Sequence, residues 1–396
     1  MLSLDKVFNA QTVLKNIVRE TKLVRAYGIA PDCELYLKPE NLQITGSFKV
    51  RGSAYKIAML TDEEKKKGVI ACSAGNHAQG VALAATKNDI RSLICLPDSA
   101  PISKVEATKG YGAEVCLVEG CYDDAYQKAL ELRDSEGYTF VYPFDDENVI
   151  AGQGTIALEI LNDLDNIDAI VVPIGGGGLI SGIAYTAKQI RPSIKIYGVQ
   201  AAGAPSMYNS VKDGEIERLS SVSTIADGIA VKQPGENTYA LVKEYVDEIA
   251  LVTDDEVSSA ILALIEKQKM IAEGAGAVAV AAVMFGKFNF KNKRVVAVVS
   301  GGNIDVTSLS RVIDRGLLKS GRSSSLLIEL IDKPGQLKEI SRIIADCGGN
   351  VTGVHYEKGD TESVNGCFLR IEMETRDFEH VNLITKTLRD EGFKLV

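Results

Sequence analysis

The chain has 396 residues, long enough for two or three domains, and its 45% hydrophobic and 24% charged residues match an ordinary globular composition. Its 44 basic and 53 acidic residues leave a net charge of −9 with no basic stripe, which argues against nucleic acid as a partner. No apolar run approaches the roughly 18 residues of a membrane span, and "MLSLDKVFNAQTVLKNIVRE" lacks a signal-peptide core, so no membrane partner and a cytoplasmic location are expected.

In chain order, the first stretch that asks for an explanation is "TGSFKVRG", residues 45–52. It sets Lys49 beside Phe48 and brackets the cluster with Gly46 and Gly52, which reads as a turn closed over something rather than a solvated helix. From about residue 69, short Val/Ile-rich runs alternate with helical patterns. "VIAC" precedes "NHAQGVALAATKN", "SLICLP" precedes "ISKVEATKG", and "AEVCLVE" precedes "DDAYQKALELRDSEG". "YTFVYPF", "DAIVVPIG", "EIALVTD" and "RVVAVVSGG" are each followed by a helix in the same way, "EIALVTD" by the long "DEVSSAILALIEKQKM". Near-continuous apolar strands alternating with helices predict an α/β fold of parallel sheets covered on both faces. Such sheets bind ligands at the loops leaving the C-terminal ends of their strands. After "LLKSGRSSS" (317–325) the order becomes βαββαβ, the ferredoxin-like arrangement, in a separate small domain.

Three strand-to-helix turns can carry chemistry. "SAGNHAQG" places Ser73, Ala74, Gly75, Asn76 and His77 where helix-start N–H groups would meet a carboxylate, although Asn76 also serves as a plain helix cap and a lone His77 is often structural. "PIGGGGLISG" puts Gly175, Gly176, Gly177 and Gly178 between a strand and a helix. There bare backbone can wrap an anion at the positive end of the helix, or simply make a tight turn. The G-x-G-x-x-G spacing fails, the next strand ends in Gln200 rather than an acid, and no G-x-x-x-x-G-K-[ST] occurs, so a single compact phosphate suits better than NAD or ATP. "AVVSGGN" presents Ser300 at the same sheet edge. The seven cysteines include no C-x-x-C pair and read as reduced thiols, and with only three histidines no His-rich metal site or Ser-His-Asp triad is available before residue 350 apart from His77.

A lysine, a phosphate cradle, an anion site and a lone hydroxyl form a coherent set. A desolvated lysine loses its proton readily and forms imines, and pyridoxal 5′-phosphate offers it an aldehyde while offering the glycines a phosphate. The competing reading is an ordinary surface lysine.

The motifs "SFKVRG", "SAGNHAQGVA", "IAGQGT", "PIGGGGL" and "SGGN", in this order, resemble the serine/threonine dehydratases, most closely their threonine ammonia-lyase branch, over residues 1–318. The trailing segment with "IDKPGQL" is similar to an ACT domain. The resemblance implies a fold-type II pyridoxal-phosphate enzyme, built like the tryptophan synthase β-subunit from two open parallel-sheet subdomains, with about 53–150 as the smaller. A linker at 319–325 and an ACT-like regulatory domain at 326–396 would follow. Lys49 would hold the cofactor covalently, Phe48 would support its ring and Asn76 would bond its phenolic oxygen. Gly175 to Gly178 with Leu179 would hold the phosphate, and Ser300 would face the pyridine nitrogen. Ser73, Ala74, Gly75 and His77 would surround the substrate carboxylate.

The implied activity is a carbon–nitrogen lyase reaction, L-threonine to 2-oxobutanoate and ammonia, with secondary action on L-serine giving pyruvate. The implied control is an amino-acid effector, isoleucine or valine in keeping with isoleucine biosynthesis, at Asp332, Gly335, Gln336 and Asn350. A homo-oligomer, dimer or tetramer, is expected. Some family members bind cations, to which Asp227 in "TIADGIAV" could contribute, but nothing in the spacing demands a metal. Serine racemases carry a second serine where this chain has Ala74, which disfavours racemisation. A β-replacement enzyme and a catalytically silent amino-acid sensor are the remaining alternatives.

Overall fold

The structure, a computed structural model, describes residues 2–357 and 366–396. The chain forms two compact units, residues 1–306 and 307–396. The first contains two sheets. The larger has six strands in the spatial order Val24–Arg25, Glu34–Pro39, Arg294–Val299, Ala169–Pro173, Lys195–Ala201 and Glu248–Val252. All neighbours are parallel except the short Val24–Arg25, which pairs antiparallel at the edge. The smaller sheet is wholly parallel, in the order Glu114–Val118, Ser92–Pro97, Val69–Cys72, Thr139–Phe140.

The apolar character of the central strands follows from their double covering. Val295 to Val299 are buried on both sides, and the same holds for Ala169 to Pro173. The helix Gly274–Met284 is apolar all round because it is buried almost to its end. Between the sheets, helix Lys49–Ala58 packs on helix Glu147–Asp163. They approach so closely that a Cβ on Gly152 would lie 2.7 Å from the Gly52 Cα. Gly52 therefore serves helix packing and not closure of the Lys49 turn, a correction to the sequence reading.

The long helix expected over "DEVSSAILALIEKQKM" stops early. Regular helix covers Asp254–Ala263, a π turn follows at Leu264–Gln268, and Lys269 has φ +56°. The left-handed residue ends the helix and releases the next segment to run inward.

The second unit has the sheet order Asn350–Glu357, Gly366–Glu374, Ser323–Ile331, Lys394–Leu395, all antiparallel, with helices Gln336–Asp346 and Phe378–Asp390. This is the βαββαβ order expected from sequence. Its core, including Ile328, Ile340, Leu369, Ile371, Ile384 and Leu388, is its own. His380 fastens it: Nδ1 accepts from the Arg376 N–H at 3.1 Å and Nε2 lies 2.9 Å from the Cys347 carbonyl. The stretch expected to be a linker is in part regular structure, since helix Val306–Lys319 reaches its first residue and a strand begins at Ser323.

Candidate active site

Parallel strands send their following loops to one edge, and three of those loops meet there. Strand Val69–Cys72 runs into Ser73–Gly75 and helix Asn76–Lys87, strand Ala169–Pro173 into the glycine turn and helix Gly178–Ile190, and strand Arg294–Val299 into Ser300–Asn303. They enclose a cavity of about 890 Å³ lined by Phe48, Lys49, residues 73–77, Gly175 to Leu179 and Ser300. Every site residue expected from sequence in the first unit is therefore on this one surface.

Lys49 opens its helix, and backbone contacts from a segment some 250 residues later hold the preceding turn. The Phe48 N–H donates to the Ser300 carbonyl at 3.1 Å and the Gly302 N–H to Gly46 O at 2.9 Å. Gly46 has φ +70°, and a Cβ there would lie 2.2 Å from Asn303 Oδ1, so glycine is required on both counts. The Lys49 ammonium donates to the Pro143 carbonyl at 2.8 Å and lies 5.4 Å from the centre of the Phe48 ring. Burial pushes its pKa down to about 8, partly opposed by the carboxylate of Glu273.

The glycine turn is a cradle with no room for side chains. A Cβ on Gly176 would come 2.4 Å from the Phe144 ring, and one on Gly177, whose φ is +96°, 2.7 Å from both Met207 and Thr238. Thr238 Oγ donates to the Gly176 carbonyl at 2.6 Å, and its own N–H donates to Asp145 Oδ1 at 3.0 Å. With the carbonyl turned to Thr238, the helix-start N–H groups of the cradle have no intrahelical acceptor and remain for an anion.

In the second turn the Gly75 N–H donates to Ser73 Oγ at 3.2 Å, and Gly75 stands at the N-cap of helix Asn76–Lys87, with open space where a Cβ would be. His77 is placed differently from the other candidates. Its ring is buried, with Nε2 2.8 Å from the Val141 carbonyl and Nδ1 3.5 Å from Ser53 Oγ. Burial first, then the Lys49 charge, lowers its pKa to about 3, so the ring is neutral and Nε2–H donates to Val141. Its imidazole is engaged within the protein, which leaves its backbone N–H as its means of touching a ligand. Ser300, buried, donates its hydroxyl to the Ala275 carbonyl at 3.2 Å.

Sequence reasoning missed Glu273, Asp145, Phe144 and Thr238. Glu273, buried at the edge of the cavity, accepts from Asn76 Nδ2 at 2.7 Å. Burial, then the neighbouring Asp227 carboxylate, raises its pKa to about 7. The signal available was a glutamate just before "GAGAVA", at the start of a helix too apolar to be solvated. Asp227 itself is paired with Lys104 at 2.9 Å at the cavity wall.

In the second unit, Asp332, Gly335 and Gln336 lie together where strand Ser323–Ile331 turns into helix Gln336–Asp346, with Gly335 at the N-cap (φ +98°). Asp332 accepts from the Tyr356 hydroxyl at 2.7 Å. Asn350 does not join them. Register pairs it with Glu374, which pairs with Ser323, at the far end of the same strand that Ile331 ends. The four expected effector residues thus do not share a site within one chain.

Residues 14–301 match the family model described as pyridoxal-phosphate dependent enzyme. The chain is 47% identical to an L-threonine ammonia-lyase of Thermotoga maritima over 100% of this chain and 99% of that one. It is 42% identical to an L-threonine ammonia-lyase of Geobacter sulfurreducens, covering 99% and 98%. Among solved structures, the processed form of threonine deaminase isoform 2 from Solanum lycopersicum superposes with a TM-score of 0.75 at 39% identity, covering 80% of this chain and 90% of that one. Maize serine racemase gives 0.75 at 34% identity, covering 80% and 98%.

Proposed function

Because the chain belongs to the pyridoxal-phosphate dependent enzymes, in their fold-type II threonine dehydratase group, we propose that it deaminates L-threonine to 2-oxobutanoate and ammonia. It is an enzyme, and its cofactor is pyridoxal 5′-phosphate.

The residues fit that cofactor on structural grounds. The glycine turn excludes any side chain from the space a phosphate needs, and a buried lysine amine of lowered pKa, Lys49, lines the same cavity. In this reading Lys49 holds the cofactor covalently, with Phe48 beside the ring. Gly175 to Gly178 and Leu179 grip the phosphate, Asn76 faces the phenolic oxygen and Ser300 the ring nitrogen. When bound, the cofactor supplies an electron sink for the bonds at the substrate α-carbon.

The chain's own groups do the rest. Ser73, Ala74, Gly75 and the backbone of His77 bind and orient the substrate carboxylate at the start of helix Asn76–Lys87, where N–H groups face an anion. Lys49 Nζ, when not bound to the cofactor, is the base that takes the α-proton, and burial lowers its pKa to about 8 so that it sheds its own proton more readily than an ordinary lysine. Ser300, a hydroxyl rather than a carboxylate, would leave the ring nitrogen uncharged if its proton turned from the Ala275 carbonyl to that nitrogen, which would suit a β-elimination. Loss of water and hydrolysis of the resulting enamine then yield the keto acid and ammonia.

The carrying observation is one cavity that joins the depressed-pKa amine to the side-chain-free cradle. The test is a keto-acid assay with threonine and serine, each with and without isoleucine and valine, on the purified protein and on Lys49→Ala. The expected outcome is 2-oxobutanoate from threonine, less pyruvate from serine, and a visible absorbance band reducible by borohydride. Lys49→Ala should lack both turnover and covalent cofactor. Near-normal turnover in that variant would sink the assignment. With Ala74 in place of a second serine, D-serine should not accumulate from L-serine in a chiral assay.

We read the second unit as an amino-acid effector module, with the carboxylate at the Gly335 turn beside Asp332 and Gln336. A homo-oligomer would be needed for Asn350 to contribute. Activity that does not respond to isoleucine or valine would remove this part and leave the catalytic reading standing.

A further inference from the structure

Asn76 can face the cavity with either end of its amide, and its neighbours decide which. Thr45 offers a carbonyl, which can only accept, and Asn303 Nδ2 lies 2.7 Å from it. The nitrogen of Asn303 must therefore stand on that side. The same nitrogen lies 2.8 Å from Asn76 Oδ1, so Asn76 turns its oxygen to Asn303. That leaves the Asn76 nitrogen against Glu273 Oε1, 2.7 Å away, where a carboxylate accepts. A longer contact from Asn303 Nδ2 to Gln79 Oε1, at 3.4 Å, has the same sense. From Thr45 to Glu273, each hydrogen bond dictates the direction of the next. The second amide hydrogen of Asn76 has no acceptor among the described residues, and Asn76 lines the cavity.

Glu273 is built into this role at some expense to its helix. It occupies the N-cap of helix Gly274–Met284, where an acidic side chain would ordinarily bond the first N–H groups, yet it makes no such bond and reaches Asn76 instead. Gly301 makes the room, since a Cβ there would lie 2.3 Å from Glu273 Oε1. The Glu273 N–H donates to the Gly301 carbonyl at 3.1 Å, which locks the two segments together.

We propose that Asn303 and Glu273 are positioning residues that fix the sense of the Asn76 amide, so that the cavity meets an N–H and never a carbonyl. The proposal rests on the reading that Asn76 faces the phenolic oxygen of the cofactor. A ring oxygen carrying negative charge is held by an N–H and repelled by a C=O, so a flipped amide would turn an attractive contact into a repulsive one.

The test uses the holoenzyme and follows the half-time of cofactor loss on dialysis, read from the visible band, with the position of the band as a second readout. Asn76→Ala, Asn303→Ala and Glu273→Ala should each speed the loss about ten-fold, the effect of one hydrogen bond to a charged oxygen. Glu273→Gln keeps an amide oxygen that accepts from Asn76 and should stay within about three-fold of the unmodified enzyme. Placed on Asn76→Ala, the Glu273→Ala change should add less than about two-fold, because its target is gone. If Glu273→Gln behaves like Glu273→Ala, or if the Glu273→Ala effect persists in full without Asn76, the residue acts by its charge and the proposal falls. It also falls if Asn76→Ala changes neither readout. Should Glu273→Ala fail to fold, by circular dichroism, Asn303→Ala on Asn76→Ala makes the same comparison. A colourless unmodified protein would instead overturn the cofactor reading on which all of this stands.

Discussion

Lys49 must be an amine that is both uncharged and anchored, two requirements that conflict in water. The cavity eases the conflict, since burial lowers the amine's pKa to about 8 while the Pro143 carbonyl and the Phe48 ring hold the chain in place. A pH dependence follows. The neutral amine is the form that captures an aldehyde, so protein stripped of cofactor should recapture pyridoxal phosphate with a rate that rises through pH about 8. An ordinary lysine would show the rise near 10.4, its value in water. Stopped-flow growth of the visible band checks this. At this scale the sequence was legible where a motif was short and bare of side chains. The four glycines declared a cradle because no other residue type fits there. Glu273 and Asp145 were not legible, because a carboxylate in a string of text carries no sign of whether it will be buried. His77 was ambiguous in text for the same reason, and its contact with the Val141 carbonyl settles what its ring does.

The helix that begins with Lys49 is held from behind by a charged network. Arg51 donates to Glu40 Oε2 at 2.8 Å and to Glu159 Oε1 at 2.6 Å, and Lys38 donates to Glu159 Oε2 at 2.5 Å, with Arg51, Glu40 and Lys38 all buried. Two residues beyond Lys49, Arg51 points away from the cavity into this cluster. The pair of carboxylates explains why an arginine is tolerated in the interior, because each N–H fork meets an acceptor. Arg51→Met leaves Glu40 and Glu159 facing each other with only Lys38 between them. Removing one partner of a buried ion pair costs about 3–5 kcal/mol, and a loss of that size is expected in chemical denaturation. An unchanged midpoint would show that the network contributes little. Helices and strands were the most legible layer, as the Val/Ile runs that predicted parallel strands form them in both sheets, buried at the centre and partly exposed at the edge strands Glu114–Val118 and Glu248–Val252. The early end of helix Asp254–Ala263 was not legible, because "LIEKQK" has helical composition and the stop comes from a left-handed Lys269 with no glycine to announce it.

On the scale of the whole molecule, the change from alternating strands and helices to βαββαβ was visible in the text, and the two units divide at residue 306. Since the second unit has a separate core, a chain ending at residue 319 should retain the visible band and turnover while losing any response to amino-acid effectors. Loss of the band in that truncation would mean the first unit depends on the second. What the text could not show was sheet order, because pairing partners lie hundreds of residues apart. Strand Arg294–Val299 is the last strand of its sheet to appear in the chain, yet it lies between Glu34–Pro39 and Ala169–Pro173.

That placement governs how the protein is made. A nascent chain that has not yet delivered residue 299 has two disconnected pieces of sheet with nothing to join them, and the turn bearing Lys49 has no Ser300 or Gly302 to close against. The first unit therefore matures only as its final strand leaves the ribosome. Residues 307–396, 90 in number, take roughly 5–20 s to synthesise at ordinary translation rates, so the catalytic half can begin to close while the later residues are still being added.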